Sequence, residues 1–150
     1  MREILFKGKT ISGNWVNGLL ANKDDKWYIS NKAGSPFAYE VRPETLCRFA
    51  GFCDKNGNKI WKNDILMCHG NPKDLAKVLF GEFGVRDIGT GSIVDKVVGW
   101  HYEVVPTDAI SRCEPFCWPM PLTEYYINRC EMEVVGNIFD NPELLQGSVK

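Results

Sequence analysis

Short runs rich in Val, Ile, Trp, Tyr and Phe alternate along the chain with polar turns that contain Gly, Pro or Asn. Runs of this kind predict β-strands over residues 4–9, 15–20 and 27–30. The polar turns at residues 12–14 and 22–26 are short enough to join these strands into a meander. Because the sequence contains no long helical period, the pattern predicts a mainly β fold.

A hairpin between residues 46 and 68 is the clearest local prediction. Residues 46–52 alternate between two faces with the period of a strand, and residues 65–68 form an apolar run typical of a buried strand. Between them, Asn56-Gly57 supplies the turn, since a tight hairpin needs a residue that tolerates positive φ. We therefore predict positive φ at Gly57.

The end of the chain predicts one more strand and a short helix. Residues 131–139 are apolar enough for a strand, with a break at Gly136-Asn137. Asn141 as N-cap, Pro142 at the first helical position and Glu143 in the first turn indicate a short C-terminal helix. No repeat or boundary divides the sequence, which predicts a single domain over residues 1–150.

Length and composition are those of a folded globular protein. The 150 residues are 44% hydrophobic and 25% charged, so the chain can bury a core without a metal or a disulfide. No apolar run approaches the roughly 20 residues of a membrane-spanning helix. The first apolar stretch ends at Lys7 without a signal-peptide pattern, so we expect a cytoplasmic protein whose six cysteines are thiols.

Charge is unevenly distributed, although the net charge is only −1. Residues 1–75 carry 12 Lys and Arg against 8 Asp and Glu, a net of +4, whereas residues 76–150 carry 6 against 11, a net of −5. Such halves can attract each other within one fold or between copies, or the basic half can face a polyanion. The first use is favoured, because a modest excess of charge usually forms a solvated surface.

An ordered series of motifs resembles the YopX family of phage and prophage proteins. The similarity begins with Arg2-Glu3-Ile4, Phe6, Gly8-Lys9 and Trp15-Val16 with Gly18, and it continues at residues 41–45, 49–52, 54–60 and 63–65. It closes with residues 133–145. The resemblance therefore covers about residues 2–66 and 131–145, and residues 67–130 lie outside it.

The resemblance implies a mainly β architecture containing a small SH3-like barrel, with additional strands and a short C-terminal helix. It also implies a protein of bacteriophages or prophages that has no established activity. The chain departs from the family at Lys62-Asn63, where an acidic residue and a glycine are more usual. Asn tolerates the left-handed conformation, so the turn is expected to survive while the local charge reverses.

Cysteine and histidine side chains could assemble a tetrahedral zinc site, because thiolate and imidazole are ligands that zinc prefers. The candidates are Cys68, His69, His101, Cys113, Cys117 and Cys130. Their spacing is loose, and Cys47 and Cys53 lie about 20 Å apart along one strand. We therefore expect buried or half-buried thiols, with no metal and no cofactor.

Catalytic residues are not predicted. Cys68 and His69 are neighbours whose side chains point to opposite faces of a strand, so His69 is poorly placed as a base. His101 lies in an aromatic strand, where a histidine is usually packed or exposed without a chemical role. The glycines lack the context of a phosphate loop and indicate turns; they are Gly81, Gly84, Gly89 and Gly91. The sequence predicts a protein that is not an enzyme.

A basic and aromatic patch lies at the predicted hairpin, where Lys55, Lys59 and Lys62 surround Trp61. Lysines neutralise phosphates and an exposed ring stacks on a base, so these residues are candidates for nucleic-acid binding. The alternative interpretation, which is favoured, is that Trp61 belongs to the core and the lysines are solvated.

An apolar loop that contains prolines is the candidate surface for a protein partner. Its residues Phe116, Trp118, Met120 and Leu122 either pack on the domain or contact a partner or a second copy. We therefore expect a non-catalytic binding or regulatory module that acts through a protein partner or by self-association. A nucleic-acid-associated accessory protein is the alternative, and a small enzyme or zinc protein is the least favoured class. No contact with a membrane is expected.

Overall fold

The computed structural model describes residues 5–30, 37–105 and 120–146. Strands dominate these residues, which confirms the prediction of a mainly β protein. The strands are β1 Phe6–Lys9, β2 Trp15–Lys23, β3 Lys26–Ser30, β4 Tyr39–Val41, β5 Cys47–Cys53, β6 Lys59–Trp61, β7 Asp64–Met67, β8 Leu75–Arg86, β9 Ile93–Val104, β10 Met120–Pro121 and β11 Glu133–Asn137. The helices within these ranges are α1 Glu124–Arg129 and two 3-10 helices, Pro43–Thr45 and Pro142–Gln146.

The chain divides into two compact units that interleave along the sequence. Unit 1 comprises Met1–Gly51 and Lys59–Lys62, and unit 2 comprises Phe52–Asn58 and Asn63–Lys150. The chain enters unit 2 for seven residues and then returns, so no linker marks a boundary. The single domain expected over residues 1–150 stays a prediction. The charge asymmetry follows the units, since unit 1 carries a net +5 and unit 2 a net −6.

Unit 1 is built on an antiparallel sheet with the strand order β4-β3-β2-β1-β5-β6. The predicted meander is present, because β1 pairs with β2 and β2 pairs with β3, although β2 is three residues longer than expected. Ile29 and Val41 are buried in its core. Thr45 fixes the end of β1, since its Oγ1 accepts a hydrogen bond from Lys9 N and donates one to Arg42 O.

The SH3-like barrel implied by the resemblance is not confirmed. The described strands form two antiparallel sheets rather than one closed barrel. An isolated bridge between Thr10 and Val41 does bring β4 beside the end of β1. The coarser prediction, a mainly β fold, is the part that the structure supports.

Unit 2 contains the second antiparallel sheet, with the strand order β10-β9-β8-β7-β11. Ile65, Leu75 and Val105 form a buried cluster in this unit, and four apolar side chains pack against it: Met67, Val135, Leu144 and Leu145. Burial of such side chains is worth about 1.5–3 kcal/mol each. The predicted strand near the C-terminus is present as β11, which pairs with β7.

Helix α1 follows the apolar loop and was not expected from the sequence. Thr123 caps its N-terminus, because Thr123 Oγ1 accepts a hydrogen bond from Tyr126 N. Ile127 faces inward and is buried, whereas Tyr125 on the same turn is exposed. Thr-Glu before an apolar stretch is the local signal for such a cap. The described residues contain no helix long and apolar enough to cross a membrane.

The predicted C-terminal helix is present, but as the short 3-10 helix Pro142–Gln146. Asn141 precedes it and joins it to β11, because Asn141 N donates to Asn137 O and Asn141 Oδ1 accepts from Asn137 N. A 3-10 form is usual for such a short segment. Asn63, at the departure from the family pattern, has φ 72°, so the left-handed turn is retained as expected.

The turn between β5 and β6 has the predicted left-handed residue at Gly57, with φ 84°. Asp54 N donates to Asn58 O and Gly57 N donates to Asp54 O, which closes the turn. We expect Gly57→Val to lower the free energy of unfolding by about 1–2 kcal/mol, because a β-branched residue is strained at positive φ. Space is not the cause, since a Cβ at Gly57 would meet no atom within 4 Å. Thermal and denaturant melts measure the change, and an unaltered midpoint would contradict the strain.

Candidate functional site

The lysines of the predicted basic patch lie in two different units. Lys55 belongs to unit 2, where its Nζ is 3.6 Å from Glu133 Oε1 and its backbone N donates to Met132 O. Lys59 and Lys62 belong to unit 1. Lys59 Nζ lies 5.7 Å from the ring centroid of Phe49, and Lys62 N donates to Arg48 O.

Trp61 does not provide an exposed ring. Its exposed fraction is 6%, and its ring packs on Phe49 with the two centroids 5.4 Å apart. Lys7 Nζ lies 5.5 Å from the Trp61 ring. Because a base needs an open ring face for stacking, the structure contradicts that part of the nucleic-acid hypothesis. The core interpretation of Trp61 matches the observed burial.

A second lysine and tryptophan cluster in unit 1 was missed by the sequence analysis. Lys7 and Lys9 alternate along β1 and lie on the face of Trp15, which is the cross-strand partner of Lys9. Their Nζ atoms lie 4.6 Å and 5.4 Å from the Trp15 ring centroid. These distances are typical of cation–π contacts, which stabilise exposed sites by about 0.5–1 kcal/mol. The signal was the spacing of two between the lysines in a strand predicted to pair with Trp15.

The candidate partner loop is only partly described. Phe116 and Trp118 lie outside the described residues. Met120 is half-buried at the start of β10, opposite Tyr102 of β9. Leu122 has an exposed fraction of 3%, and its N donates to Trp100 O. The assignment of Leu122 to a partner surface is therefore wrong, because this end of the loop packs within unit 2.

The surroundings of Cys68 disfavour the thiolate form of its side chain. Burial, followed by the nearby Asp74 carboxylate and Cys130, raises the pKa of the Cys68 thiol to about 12. The thiolate is the reactive form, so a thiol with this pKa is inert near neutral pH. The neighbouring His69 side chain instead lies 3.5 Å from Glu131.

His101 is a packed residue. Its ring stacks on Phe83 with the two centroids 4.6 Å apart, and it is almost fully buried. Its Nδ1 lies 3.1 Å from Gly99 O, and its Nε2 lies 3.8 Å from Glu103. Within the described ranges, no group of three or more Cys, His, Asp or Glu side chains could hold a metal ion. Cys113 and Cys117 lie outside those ranges.

The thiols should differ sharply in their rate of modification. Cys53 is exposed, whereas Cys47 and Cys68 are buried. We expect Cys53 to react with an aromatic disulfide reagent in native protein, and Cys47 and Cys68 to react at least about a hundredfold more slowly. Mass spectrometry of peptides from native and denatured protein measures the three rates. Equal rates at Cys53 and Cys68 in native protein would contradict the burial.

The longest strand pair of unit 2 projects beyond the rest of its sheet. Strands β8 and β9 pair from Ala76 and Val104 to Arg86 and Ile93. The neighbouring strand β7 pairs with β8 only at residues 75–77, and β10 pairs with β9 only at residues 101 and 102. No other described strand pairs with residues 80–99, which we call the β8–β9 ribbon.

The β8–β9 ribbon carries more than half of the exposed large hydrophobic side chains that the structure describes. Six of the eleven exposed large hydrophobic side chains belong to it: Phe80, Ile88, Ile93, Val94, Val97 and Val98. Val98 alone has an exposed fraction of 69%. A two-stranded ribbon is marginally stable in water, and exposed apolar clusters mark interaction surfaces. The ribbon is therefore a candidate contact surface.

Larger side chains cover the glycines inside the ribbon, which explains how a glycine-rich segment forms strands. A Cβ at Gly99 would lie 4.0 Å from the Phe83 ring, and a Cβ at Gly84 would lie 3.3 Å from Ile93 Cδ1. The interpretation of Gly81 and Gly84 as turn residues is wrong, because both lie within β8. Gly89 and Gly91 do lie in the turn, where Asp87 Oδ1 accepts from Gly89 N and Thr90 N.

A cavity of about 160 Å³ in unit 2 is lined by Lys77, Glu103, Val104, Val105 and Leu145. Pockets for small molecules usually have volumes of about 300–1,000 Å³. This cavity is therefore too small to favour a small-molecule site.

The comparison with protein families gives one continuous match. A family described as YopX protein matches residues 9–146. The match includes residues 67–130, so the earlier restriction of the resemblance to the two ends of the chain is wrong. No curated protein matches the chain.

Proposed function

We propose that this chain, which belongs to the YopX protein family, is a non-catalytic binding module of a phage or prophage. It acts through contact with protein, and the β8–β9 ribbon is its contact surface. The observation that supports this proposal is the concentration of exposed apolar side chains on a ribbon whose edges no described strand covers beyond its base.

The geometry favours a protein surface as the ligand of the ribbon. An open strand edge offers a row of N–H and C=O groups, and another β-strand is the ligand that satisfies such a row. Exposed apolar side chains on the ribbon, such as Val94 and Val98 of β9, add area that a partner can bury.

The test compares retention on immobilised protein for matched variants. The ribbon variant carries Val94→Lys and Val98→Lys, and the control carries Ile11→Lys and Leu19→Lys, which are exposed apolar positions of unit 1. The parent, the ribbon variant and the control are each immobilised on a column. Each column receives purified untagged copies of the parent protein and, in a separate run, an extract of the bacterium that carries the gene. We expect the ribbon variant to retain at least about tenfold less of the species bound by the parent, because central apolar contacts dominate binding. Equal retention by parent and ribbon variant, or no retention by the parent, would overturn the proposal.

A nucleic-acid-associated role is the second candidate, and the net charge of +5 on unit 1 is the observation that favours it. Lys59 and Lys62 of the original patch belong to this unit. Phosphate contacts make affinity fall steeply between about 50 and 200 mM salt. Fluorescence anisotropy with a labelled single-stranded oligonucleotide measures this fall. Binding that is weakened by Lys59→Gln with Lys62→Gln would support the role, and no binding at low salt would exclude it.

A further inference from the structure

We propose that two copies of this chain pair through the edge of β8 that no described strand covers beyond Val78, antiparallel and centred on Gly84. This inference rests on the proposed function, since it takes the β8–β9 ribbon as the contact surface and names a second copy as its occupant. The pair extends the sheet of unit 2 from one copy into the other.

The hydrogen bonds at the base of β8 show which residues face the edge that no described strand covers. Val105 N, immediately after β9, donates to Leu75 O, so odd-numbered residues of β8 face β9. Asn63 N, immediately before β7, donates to Val78 O, so even-numbered residues face the other side. Because backbone direction alternates along a strand, the even-numbered residues beyond Val78 turn their N–H and C=O groups away from β9. Those that the pairing uses are Glu82, Gly84 and Arg86.

Two-fold symmetry restricts how this edge can pair with its own copy. A symmetric antiparallel pair places one residue opposite itself, and positions equally far on either side of it face each other. With Gly84 at the centre, Glu82 lies opposite Arg86 of the second copy, and Arg86 lies opposite Glu82. Centring on Glu82 or on Arg86 would instead place like charges opposite each other, which destabilises a strand pair. Gly84 is therefore the centre that the charges select.

The apolar residues also match in this register. Phe83 lies opposite Val85 of the second copy, a pairing of aromatic and β-branched side chains that favours strand association. On the other face, the half-exposed Ile93 side chain lies over Gly84, where a Cβ would be 3.3 Å from Ile93 Cδ1. The two copies of Ile93 come together over the central glycines and bury each other. The five residues from 82 to 86 supply about six inter-chain hydrogen bonds, two for each hydrogen-bonded pair.

Arg86 can take part while it keeps its contacts within the chain. Its Nη1 donates to Gly91 O at 2.8 Å, and it has further partners. A guanidinium has five N–H donors, so a carboxylate of the second copy can be added to these partners. Glu82 and Arg86 are both exposed in the single chain, so the ion pairs add to the pairing without requiring the core to rearrange.

Charge exchange at the two positions tests the register. The dissociation constant is measured by sedimentation velocity over a concentration series of the purified full chain. We expect Glu82→Arg and Arg86→Glu each to raise it by about tenfold or more, because each places like charges opposite each other twice in the pair. The double variant restores opposite charges and should lie within about threefold of the parent. Asp95→Arg is the matched control, since it makes the same change of charge on β9, and it should also lie within about threefold.

Recovery of the parent's dissociation constant in the double variant is the decisive result, because a loss of pairing caused by misfolding would not be reversed by a second substitution. Circular dichroism verifies the fold of each variant. A parent that stays monomeric at the highest concentration would overturn the inference, as would single variants that dimerise like the parent or a double variant that stays weak. The parent could be monomeric and still retain a bacterial protein through Val94 and Val98. That result would overturn the pairing of two copies and leave the proposed function intact. If the variant with Val94→Lys and Val98→Lys retains as much bound protein as the parent does, the proposed function itself is overturned.

Discussion

Asp54→Ala is expected to lower the free energy of unfolding by about 3 kcal/mol, because it removes a buried charged acceptor with several donors. Asp54 Oδ1 accepts from Asn56 N and Asn58 N, each at 2.9 Å. Asp54 Oδ2 accepts from Val134 N at 2.9 Å and from Asn58 Nδ2 at 3.4 Å. One carboxylate therefore orders the turn and joins it to β11, which lies 80 residues away along the chain.

The same carboxylate predicts a dependence on pH. Burial raises the pKa of Asp54, but the hydrogen bonds from Val134, Asn58 and Asn56 outweigh it, so the pKa lies below its ordinary value of 3.8. A depressed pKa in the folded state gives stability that is complete above the unfolded pKa and is lost as the pH falls through the folded pKa. The stability of the parent should fall below about pH 4, and Asp54→Ala should lack that component of the fall.

Asp87→Ala is the matched control for this prediction. Asp87 also orders a turn through Oδ1, which accepts from Gly89 N at 2.7 Å and from Thr90 N at 3.1 Å, but Asp87 is exposed. Because water can replace those bonds, we expect a cost of at most about 1 kcal/mol. Urea denaturation from pH 2 to pH 7 measures both variants. Equal costs for Asp54→Ala and Asp87→Ala would show that the link to Val134 adds nothing.

Local signals account for the parts of the fold that could be predicted. The meander and the turn at Gly57 depend on runs of apolar residues and on one residue with positive φ, which are visible within a few positions. The start of the C-terminal helix at Pro142 is equally local, although sequence alone did not distinguish a 3-10 helix from an α-helix. The predicted N-cap role of Asn141 is not observed, since its Oδ1 accepts from Asn137 N. Neighbouring residues decide all of these features.

Contacts between distant residues account for the parts that could not be predicted. Gly81 and Gly84 resemble turn residues when β8 is considered by itself. The side chains that support the strand pair come from the partner strand β9, as Ile93 does over Gly84. Trp61 was open to two interpretations because its ring contacts Phe49 and Lys7, which lie on other strands of the sheet. The amino-acid composition around Lys59–Lys62 does not indicate that these residues return to unit 1.

The candidate site shows the same limit. The predicted patch of Lys55, Lys59, Trp61 and Lys62 is adjacent in sequence, yet the structure assigns Lys55 to a different unit and buries Trp61. The β8–β9 ribbon was missed because the exposure of its side chains depends on how far the neighbouring strands pair with it. Val94, Val97 and Val98 look like core residues until the extent of the neighbouring strands is known.

Gly136→Ala is expected to cost about 2 kcal/mol, because the added methyl group has no room. A Cβ at Gly136 would lie 2.6 Å from Asn141 Cγ and 3.0 Å from Asn141 Cβ. Asn141 cannot easily move away, since its N donates to Asn137 O at 2.9 Å and its Oδ1 accepts from Asn137 N at 3.2 Å. Gly136 also lies where the pairing of β11 with β7 shifts register, so the backbone has little freedom to adjust.

A double-mutant cycle with Asn141→Gly separates this clash from other effects of the methyl group. Asn141→Gly removes all three side-chain atoms that the methyl group would meet, which are Oδ1, Cγ and Cβ of Asn141, so Gly136→Ala should cost less than about 1 kcal/mol in that background. Gly99→Ala is the control for an added methyl group in a strand, because its Cβ would meet only Phe83 at 4.0 Å. We expect that control to be neutral or slightly stabilising, since alanine restricts the unfolded chain. Chemical denaturation of the five proteins measures the cycle, and an equal cost of Gly136→Ala in both backgrounds would show that Asn141 is not the obstacle.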